Sequence, residues 1–341
     1  MEDRILEHYL DEFTIGLDVK ADEAETLLGA LIGCSDESLI AETLAAWNRK
    51  GTTEDELFAF ASLMRARMKR VNSKHENAVD IVGTGGSGSK SFNVSTAAAF
   101  VIAGAGLPVA KHGNRAATSS SGSSDVLSAL GIETDIEPGV SEQNLNEHGL
   151  CFMFAPRFHS LSHSLARARR SVGSPTIFNN VGPLCNPASA PHHVIGVYDK
   201  HLLESTANVL SRLGAKRSWV VYGENGLDEI GLRGTTLVAE LDREKIDIFE
   251  ISAADFEVFT LGNDLPANCS VIQSSSLIRD ILENKMKDRD AERLVLINGA
   301  AALYVAGKAA DLPTAYNMAA ESIRTGAAFD KLNRLAGAAI K

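Results

Sequence analysis

The segment that decides the fold reads Asp80-Ile81-Val82-Gly83-Thr84-Gly85-Gly86-Ser87-Gly88. In it, a short apolar run passes directly into a loop that holds three glycines within four residues. Glycine tolerates positive φ and lets a ligand approach the backbone closely, and successive bare N–H groups form a concavity that binds anions. The loop is not a Walker A sequence, because no Lys-Ser/Thr pair directly follows its last glycine. We therefore predict a strand followed by a loop that either binds phosphate or is only a flexible turn.

Strands and helices alternate along the chain from residue 79 onward. The apolar runs typical of strands are Val79–Val82, Pro108–Ala110, Phe152–Phe154, Val194–Val197 and Ser218–Tyr222. Helical patterns lie between them near 95–105, 124–130 and 201–213, and two more follow at Leu294–Ala309 and Leu312–Ala336. This alternation predicts an α/β fold with a mostly parallel central sheet covered by helices. Ligands of such sheets bind at the carboxyl ends of the strands, so we expect the chemistry in the loops that follow the strands.

The first part of the chain has a different pattern, because apolar residues recur there at helical spacing without any strand-like run. Thr53 followed by Glu56 is typical of a capping box that opens a helix. We therefore predict a small all-helical N-terminal domain over residues 1–72, joined by helices around 160–190. The larger α/β domain is predicted over residues 73–341.

The composition excludes several classes of function. Of 341 residues, 45% are hydrophobic and 23% are charged, and the formal net charge is -11 without any Lys/Arg-rich block. This balance argues against binding to nucleic acid or to an anionic membrane. No apolar run reaches the length of a membrane span, the charged start does not resemble a signal peptide, and the four cysteines are far apart. We therefore predict a cytoplasmic protein.

A polar segment, Asn93-Val94-Ser95-Thr96, precedes an alanine-rich helical pattern behind the glycine loop. We expect Ser95 or Thr96 to cap this helix, whose N-terminus favours phosphate. A serine hydroxyl there could also bind Mg²⁺. The alternative is a plain helix cap without any ligand.

A basic segment, Lys111-His112-Gly113-Asn114-Arg115, directly follows the second predicted strand. Its two cations could neutralise phosphates, and Asn114 can both donate and accept hydrogen bonds to a planar acceptor. The serine-rich run 119–124 comes next and leads into another helix, which predicts a second phosphate-binding helix start. An exposed basic turn and a flexible polar loop are the alternatives.

Two carboxylates, Asp228 and Glu229, follow the strand Ser218–Tyr222 and a glycine-bounded turn. Adjacent carboxylates suit hard cations, which prefer oxygen ligands, although many exposed Asp-Glu pairs have no ligand. Arg169 and Arg170 lie in a basic helical pattern. Most arginines of this kind only face solvent, but one of them could reach a carboxylate on an acceptor.

These motifs, in this order, resemble the anthranilate phosphoribosyltransferase family. The matching segments are Gly83-Thr84-Gly85-Gly86, Asn93-x-Ser95-Thr96, Lys111–Arg115, Ser121–Asp125, Thr176–Asn179, Gly182–Leu184, Asn186-Pro187, Gly226–Glu229 and Asn298–Tyr304. The resemblance implies a small helical domain beside a larger α/β domain, and usually a homodimer. It also implies Mg²⁺, phosphoribosyl pyrophosphate as donor and anthranilate as acceptor, in tryptophan synthesis.

The resemblance also implies roles for individual residues. Those expected to bind the donor are Gly83, Thr84, Gly85, Gly86, Asn93, Ser95, Thr96, Lys111 and Ser123. Those expected to face the acceptor are Gly83, His112, Asn114 and Arg169, with Arg169 meeting the carboxylate. Those expected to bind Mg²⁺ are Ser95, Asp228 and Glu229. Catalysis would then rest on electrostatic positioning by Lys111, Asn114 and Arg169 rather than on an acid/base pair.

Several residues depart from the family pattern. Ser87 stands where the family usually has an acid, and Pro175 where it often has Arg; Asn180-Val181 and Gln273-Ser274 are also unusual. These departures leave three alternatives open. They are the same chemistry on another aromatic amine, a pyrimidine nucleoside phosphorylase, and a non-catalytic paralogue that binds nucleic acid.

Overall fold

A computed structural model describes residues 1–85, 92–114, 121–262, 265–266, 268–286 and 289–338. Gly86, Ser87 and Arg115, named above, lie outside the described residues, as do positions 119 and 120 of the serine-rich run. The chain forms two compact units. The first contains Met1–Met68 and His159–Cys185, and the second contains Lys69–Phe158 and Asn186–Lys341.

The secondary structure follows in chain order. The helices are α1 Glu2–Thr14, α2 Ala24–Gly33, α3 Glu37–Lys50, α4 Glu54–Arg67, α5 Val94–Gly104, α6 Ser123–Ala129, α7 Pro138–His148, α8 Ala155–Phe158, α9 His163–Val172, α10 Ile177–Val181, α11 Leu202–Arg212, α12 Val271–Leu282, α13 Arg289–Val305, α14 Leu312–Arg324 and α15 Ala327–Ala338. Short 3₁₀ helices lie at Gly182–Leu184, Glu224–Gly226 and Ala253–Phe256. The strands are β1 Val79–Gly83, β2 Val109–Gly113, β3 Leu150–Phe154, β4 His192–Gly196, β5 Arg217–Gly223, β6 Thr236–Asp242 and β7 Lys245–Ile251.

The first unit is helical, and within it the buried carboxylate of Glu56 accepts hydrogen bonds from several residues. The predicted capping box is confirmed, since the Thr53 hydroxyl accepts from the Glu56 N–H and the Glu56 carboxylate accepts from the Thr53 N–H. That carboxylate also accepts from the Trp47 indole at 3.2 Å, the Lys50 ammonium at 3.0 Å and the Val19 N–H at 2.8 Å. A buried carboxylate is stable only with partners of this kind, so Glu56 joins α3 and α4 to the segment before α2.

The second unit is built on one seven-stranded sheet, in the order β3-β2-β1-β4-β5-β6-β7. The five predicted strands pair in parallel, and β6 and β7 add an antiparallel edge that the sequence analysis missed. The β6–β7 hairpin turns at Arg243, whose φ is 60°. An arginine therefore adopts the left-handed conformation where a hairpin turn usually has glycine or asparagine. Parallel register brings Gly83 of β1 beside Gly196 of β4, so the carboxyl ends of the central strands share one edge.

Helices α5 and α13 lie in the buried core on the same face of the sheet. All residues of α5 from Thr96 to Ala103 are buried, because alanines allow neighbouring helices to approach from several sides. The predicted helix over 312–336 is wrong in one respect: it is two helices, separated at Gly326, where φ is 78°. A left-handed glycine ends a helix by turning the chain out of it.

Among the described residues, no helix combines the length and the apolar character needed to cross a membrane.

Candidate active site

Asp228 lies against the ends of β1 and β4, where two glycines make room for it. A Cβ atom at Gly83 would overlap the Asp228 carboxylate, and a Cβ atom at Gly196 would overlap its backbone carbonyl. The Asp228 Oδ2 accepts a 2.9 Å hydrogen bond from the N–H of Gly85, whose φ is 76°. The carboxylate predicted for metal binding and the start of the glycine loop are therefore in direct contact.

The same carboxylate fits a hard cation. Asp228 is buried, and its second oxygen, Oδ1, has no hydrogen-bond partner among the described residues. A buried carboxylate oxygen left in this way costs free energy unless a cation or water satisfies it. Glu229 is half-buried next to it. The described residues contain no group of three or more His, Cys, Asp or Glu side chains that could hold a metal.

Lys111 is a buried cation in the middle of β2, rather than in a loop after the strand as predicted, with 3% of its surface exposed. Its ammonium donates to the Ile81 carbonyl of β1 and, at 3.2 Å, to the Ser95 hydroxyl in the first turn of α5. Burying a charge is costly unless it is hydrogen-bonded, and these contacts fix the ammonium between β1 and the start of α5. Two predicted donor-binding residues, Lys111 and Ser95, are thus brought together.

The start of α5 corrects one prediction. The residue at the N-cap is Asn93, not Ser95 or Thr96, and its side chain makes no capping hydrogen bond. Instead, the Asn93 amide oxygen accepts from the hydroxyls of Ser121 and Ser274. Thr96 is fully buried, and its hydroxyl has no partner among the described residues. Asn93 is therefore oriented by distant segments rather than by its own helix.

His112 follows Lys111 on the opposite face of β2, and its backbone is held by a buried carboxylate. The His112 N–H donates to Asp80 Oδ1 at 3.3 Å, and Asn186 Nδ2 donates to Asp80 Oδ2 at 2.7 Å. Burial raises the pKa of Asp80 to about 6, although nearby Lys111 and these hydrogen bonds oppose the rise. Asn186 also donates to the Ala110 carbonyl at 2.8 Å, so this pair joins β1, β2 and the segment before β4.

Asn114, which follows β2, and Ser123, the first residue of α6, are joined by a hydrogen bond. The Ser123 hydroxyl donates to the Asn114 carbonyl at 3.1 Å. A Cβ atom at Gly113 would lie 2.5 Å from that hydroxyl, so a larger residue at the end of β2 would force the Ser123 side chain to move. The backbone of Asn114 is therefore tied to the first residue of α6.

Arg169 belongs to the helical unit, where it lies in the last turn of α9. It is half-buried, and its guanidinium lies over the Phe178 ring, 4.9 Å from the centroid. Desolvation, with a smaller contribution from Arg170, lowers the pKa of Arg169 to about 10, so it remains a cation at neutral pH. Stacking on an aromatic face favours arginine over lysine.

Four residues that orient site groups were missed as site residues in the sequence analysis: Asp80, Asn186, Ser274 and Asn298. Asn186 and Asn298 lie within matching family segments, but nothing in the sequence indicates which groups they contact. Asp80 had one available signal, since a carboxylate inside an apolar run needs a buried partner. A separate cavity of about 530 Å³ lies at the amino ends of β4 and β5, lined by His192, Lys216 and Arg243 among others. It holds none of the predicted site residues.

Comparisons with known proteins show the family of the chain. Residues 75–329 match the family described as "Glycosyl transferase family, a/b domain". Anthranilate phosphoribosyltransferase of Natronomonas pharaonis is 40% identical over 97% of this chain and 98% of its own length. The crystal structure of the Thermus thermophilus enzyme is 32% identical, with a TM-score of 0.86 over 97% of this chain and 98% of that one.

A more distant structure, anthranilate phosphoribosyltransferase from Saccharomyces cerevisiae in complex with PRPP and Mg, shares the fold. It is 24% identical, with a TM-score of 0.86 over 98% of this chain and 97% of that one. Since the curated relative covers nearly the whole chain and the structural match extends over both units, the helical and the α/β parts are both accounted for. The chain belongs to the anthranilate phosphoribosyltransferase family.

Proposed function

We propose that this protein transfers the phosphoribosyl group of phosphoribosyl pyrophosphate to the amine of anthranilate, as a step in tryptophan biosynthesis. The observation that carries the proposal is the contact of Asp228 with Gly85 at the carboxyl edge of the sheet. It places a carboxylate at the start of a glycine loop, and one oxygen of that carboxylate has no hydrogen-bond partner among the described residues. This arrangement suits a metal-bound pyrophosphate. Family membership names the donor and the acceptor.

In the reaction, the amine nitrogen forms a bond to C1′ of the ribose while the bond from C1′ to the pyrophosphate oxygen breaks. The amine loses one proton, and pyrophosphate leaves with the electron pair of the broken bond. Because the amine is a neutral nucleophile, the main demand is to stabilise the departing pyrophosphate and the positive charge that develops on the ribose. No strongly basic group is needed beside the amine.

Several side chains could stabilise the departing pyrophosphate. Lys111 would hold the donor with Gly83, Thr84, Gly85, Gly86, Asn93, Ser95, Thr96 and Ser123. Its ammonium needs no reorientation, since Ile81 and Ser95 already hold it, and preorganised charge of this kind is the effective form of electrostatic catalysis. Asp228, Glu229 and Ser95 would hold Mg²⁺. When bound, Mg²⁺ would neutralise negative charge on the pyrophosphate.

The residues that the family resemblance assigns to the acceptor are Gly83, His112, Asn114 and Arg169. The guanidinium of Arg169 can form paired hydrogen bonds with the anthranilate carboxylate, and Asn114 can orient the planar ring substituents. Orientation of the amine over C1′ is worth roughly 7–11 kcal/mol in reactions of this kind. We further propose a homodimer, as the family resemblance implies, and a cytoplasmic location, as the composition predicts.

The test mixes the protein with Mg²⁺, phosphoribosyl pyrophosphate and anthranilate and follows the loss of anthranilate fluorescence. We expect a loss that requires the donor and is abolished by a metal chelator. If fluorescence persists while calorimetry detects donor binding, the acceptor is another aromatic amine. If neither is seen, the proposed function is wrong. Release of thymine from thymidine in phosphate buffer would instead identify a nucleoside phosphorylase.

A further inference from the structure

Ser274 of α12 makes a closed pair of hydrogen bonds with Asn93. The Asn93 backbone N–H donates to Ser274 Oγ at 3.1 Å, and that hydroxyl donates back to Asn93 Oδ1 at 2.9 Å. The two residues are 181 positions apart in the chain. Because a backbone N–H can only donate, Ser274 Oγ is the acceptor in the first of these hydrogen bonds.

Ser121 completes the arrangement from the other side. Its hydroxyl donates to Asn93 Oδ1 at 2.9 Å, and its carbonyl accepts from Asn93 Nδ2 at 3.5 Å. A carbonyl can only accept, so this contact gives the same amide orientation as the Ser274 contact. Nδ2 carries a second N–H, for which there is no partner among the described residues. Asn93 is partly exposed, so this N–H is a donor available to a ligand.

We propose that Ser274 is a positioning residue for the donor substrate: it locks the Asn93 amide so that its free N–H points to an oxygen of phosphoribosyl pyrophosphate. The proposal rests on the proposed function, through the role of Asn93 in binding the donor. An asparagine at an N-cap normally accepts a hydrogen bond from its own helix. Here that contact is absent, and its oxygen is held by two serines from other segments.

The stability of α12 does not depend on the hydrogen bonds between Ser274 and Asn93. The helix starts at a capping box of Ser270 and Gln273, and Ile278, Ile281 and Leu282 are fully buried on its core side. Removing the Ser274 hydroxyl therefore leaves both the cap and the core contacts in place. What is lost is the part of the constraint on Asn93 that Ser274 supplies, so the amide is then held by Ser121 alone.

Ser275 provides a matched control. It is in the same helix, it is 8% exposed, and its hydroxyl donates to the Ile272 carbonyl at 3.0 Å within its own helix. Ser274→Ala and Ser275→Ala thus make the same chemical change at adjacent buried positions. Only the first removes a contact with the site.

The experiment measures phosphoribosyl pyrophosphate binding by calorimetry and steady-state kinetics for both variants. We expect Ser274→Ala to raise the donor Kd and KM by roughly 3- to 10-fold, the value of one hydrogen bond. The anthranilate KM should be unchanged, and both variants should unfold at similar temperatures. Ser274→Cys, which retains a weak donor, should recover part of the affinity.

A double-mutant cycle decides between positioning and a general effect on the site. In an Asn93→Ala background, Ser274→Ala should have no further effect on donor affinity, because the group that it orients is gone. Equal effects in both backgrounds would overturn the proposal, as would a wild-type donor Kd for Ser274→Ala. Failure of the wild-type protein to bind the donor would instead overturn the proposed function.

Discussion

The side-chain amide of Asn298 holds both backbone polar atoms of Ile230. Asn298 Oδ1 accepts from the Ile230 N–H at 3.0 Å, and Nδ2 donates to the Ile230 carbonyl at 3.0 Å. A third contact, from Nδ2 to the Leu294 carbonyl at 2.9 Å, fixes the amide on α13. Ile230 directly follows Glu229, so a buried helix holds the segment that carries the two acidic residues.

Asn298→Ala should therefore impair the site more than the fold. The variant leaves the polar backbone atoms of Ile230 buried without their partner, and the Asp228-Glu229 segment loses its support. We expect kcat to fall by roughly 10- to 100-fold, with a higher Mg²⁺ concentration needed for half-maximal rate. Initial rates over a Mg²⁺ titration measure both effects.

Ser322→Ala is the control for this prediction. Ser322 is buried and donates a 2.8 Å hydrogen bond from α14 to the Val101 carbonyl of α5. Its loss removes a buried long-range hydrogen bond that does not involve the acidic segment. An equal Mg²⁺ dependence in both variants would show that Asn298 contributes only to stability.

Gly196→Ala should displace Asp228. The added methyl group would overlap the Asp228 backbone carbonyl, which cannot move without shifting the carboxylate. A misplacement of about 1 Å costs roughly 100-fold in rate, so kcat/KM should fall by at least that factor. Gly139→Ala adds the same methyl group in α7 with nothing within 4 Å and should retain wild-type kinetics. A near-wild-type rate for Gly196→Ala would show that Asp228 is not where the reaction needs it.

Arg169→Ala should weaken acceptor binding selectively. Loss of a charge-assisted hydrogen bond raises the anthranilate KM by roughly 10- to 100-fold, and the donor KM should change little. Arg167→Ala serves as control because Arg167 is exposed on the same helix and pairs with Glu37 at 2.7 Å. Steady-state kinetics with each substrate varied would measure the difference. If both variants raised the anthranilate KM equally, Arg169 would have no direct role.

The buried carboxylate of Asp80 predicts a pH dependence of stability. Its pKa is about 6 in the folded state against an ordinary value of 3.8 for an aspartate, so the folded protein binds more protons than the unfolded chain between these values. The contribution of Asp80 to the free energy of unfolding is therefore larger at pH 5 than at pH 7, by on the order of 1 kcal/mol.

Asp80→Asn removes this dependence, although it also weakens one of the contacts with His112 and Asn186. The free energy of unfolding from urea titrations, wild type minus variant, should accordingly be more favourable to the wild type at pH 5 than at pH 7. The constant offset from the altered hydrogen bonds cancels in that comparison. A difference that is flat, or that grows with pH, would contradict the assignment.

Two parts of the fold could not be predicted, for separate reasons. The hairpin of β6 and β7 turns at Arg243-Glu244 without a glycine or asparagine, so the residue types that usually mark a hairpin are absent. The break between α14 and α15 depends on the left-handed conformation of Gly326. A glycine inside an apolar helical pattern can also remain helical, and only packing decides which occurs.

The sequence by itself determined the five parallel strands, most of the helices between them and the polar residues near the carboxyl ends of those strands. This was enough to group Gly83, Lys111 and Asp228, because the carboxyl ends of parallel strands meet at one edge. Only the tertiary structure decided which side chain orients which. Asn93 and Ser274 are 181 positions apart, and Asn298 and Ile230 are 68 apart. Sequence separation carries no distance information, so hydrogen bonds of this kind become visible only when the chain is folded.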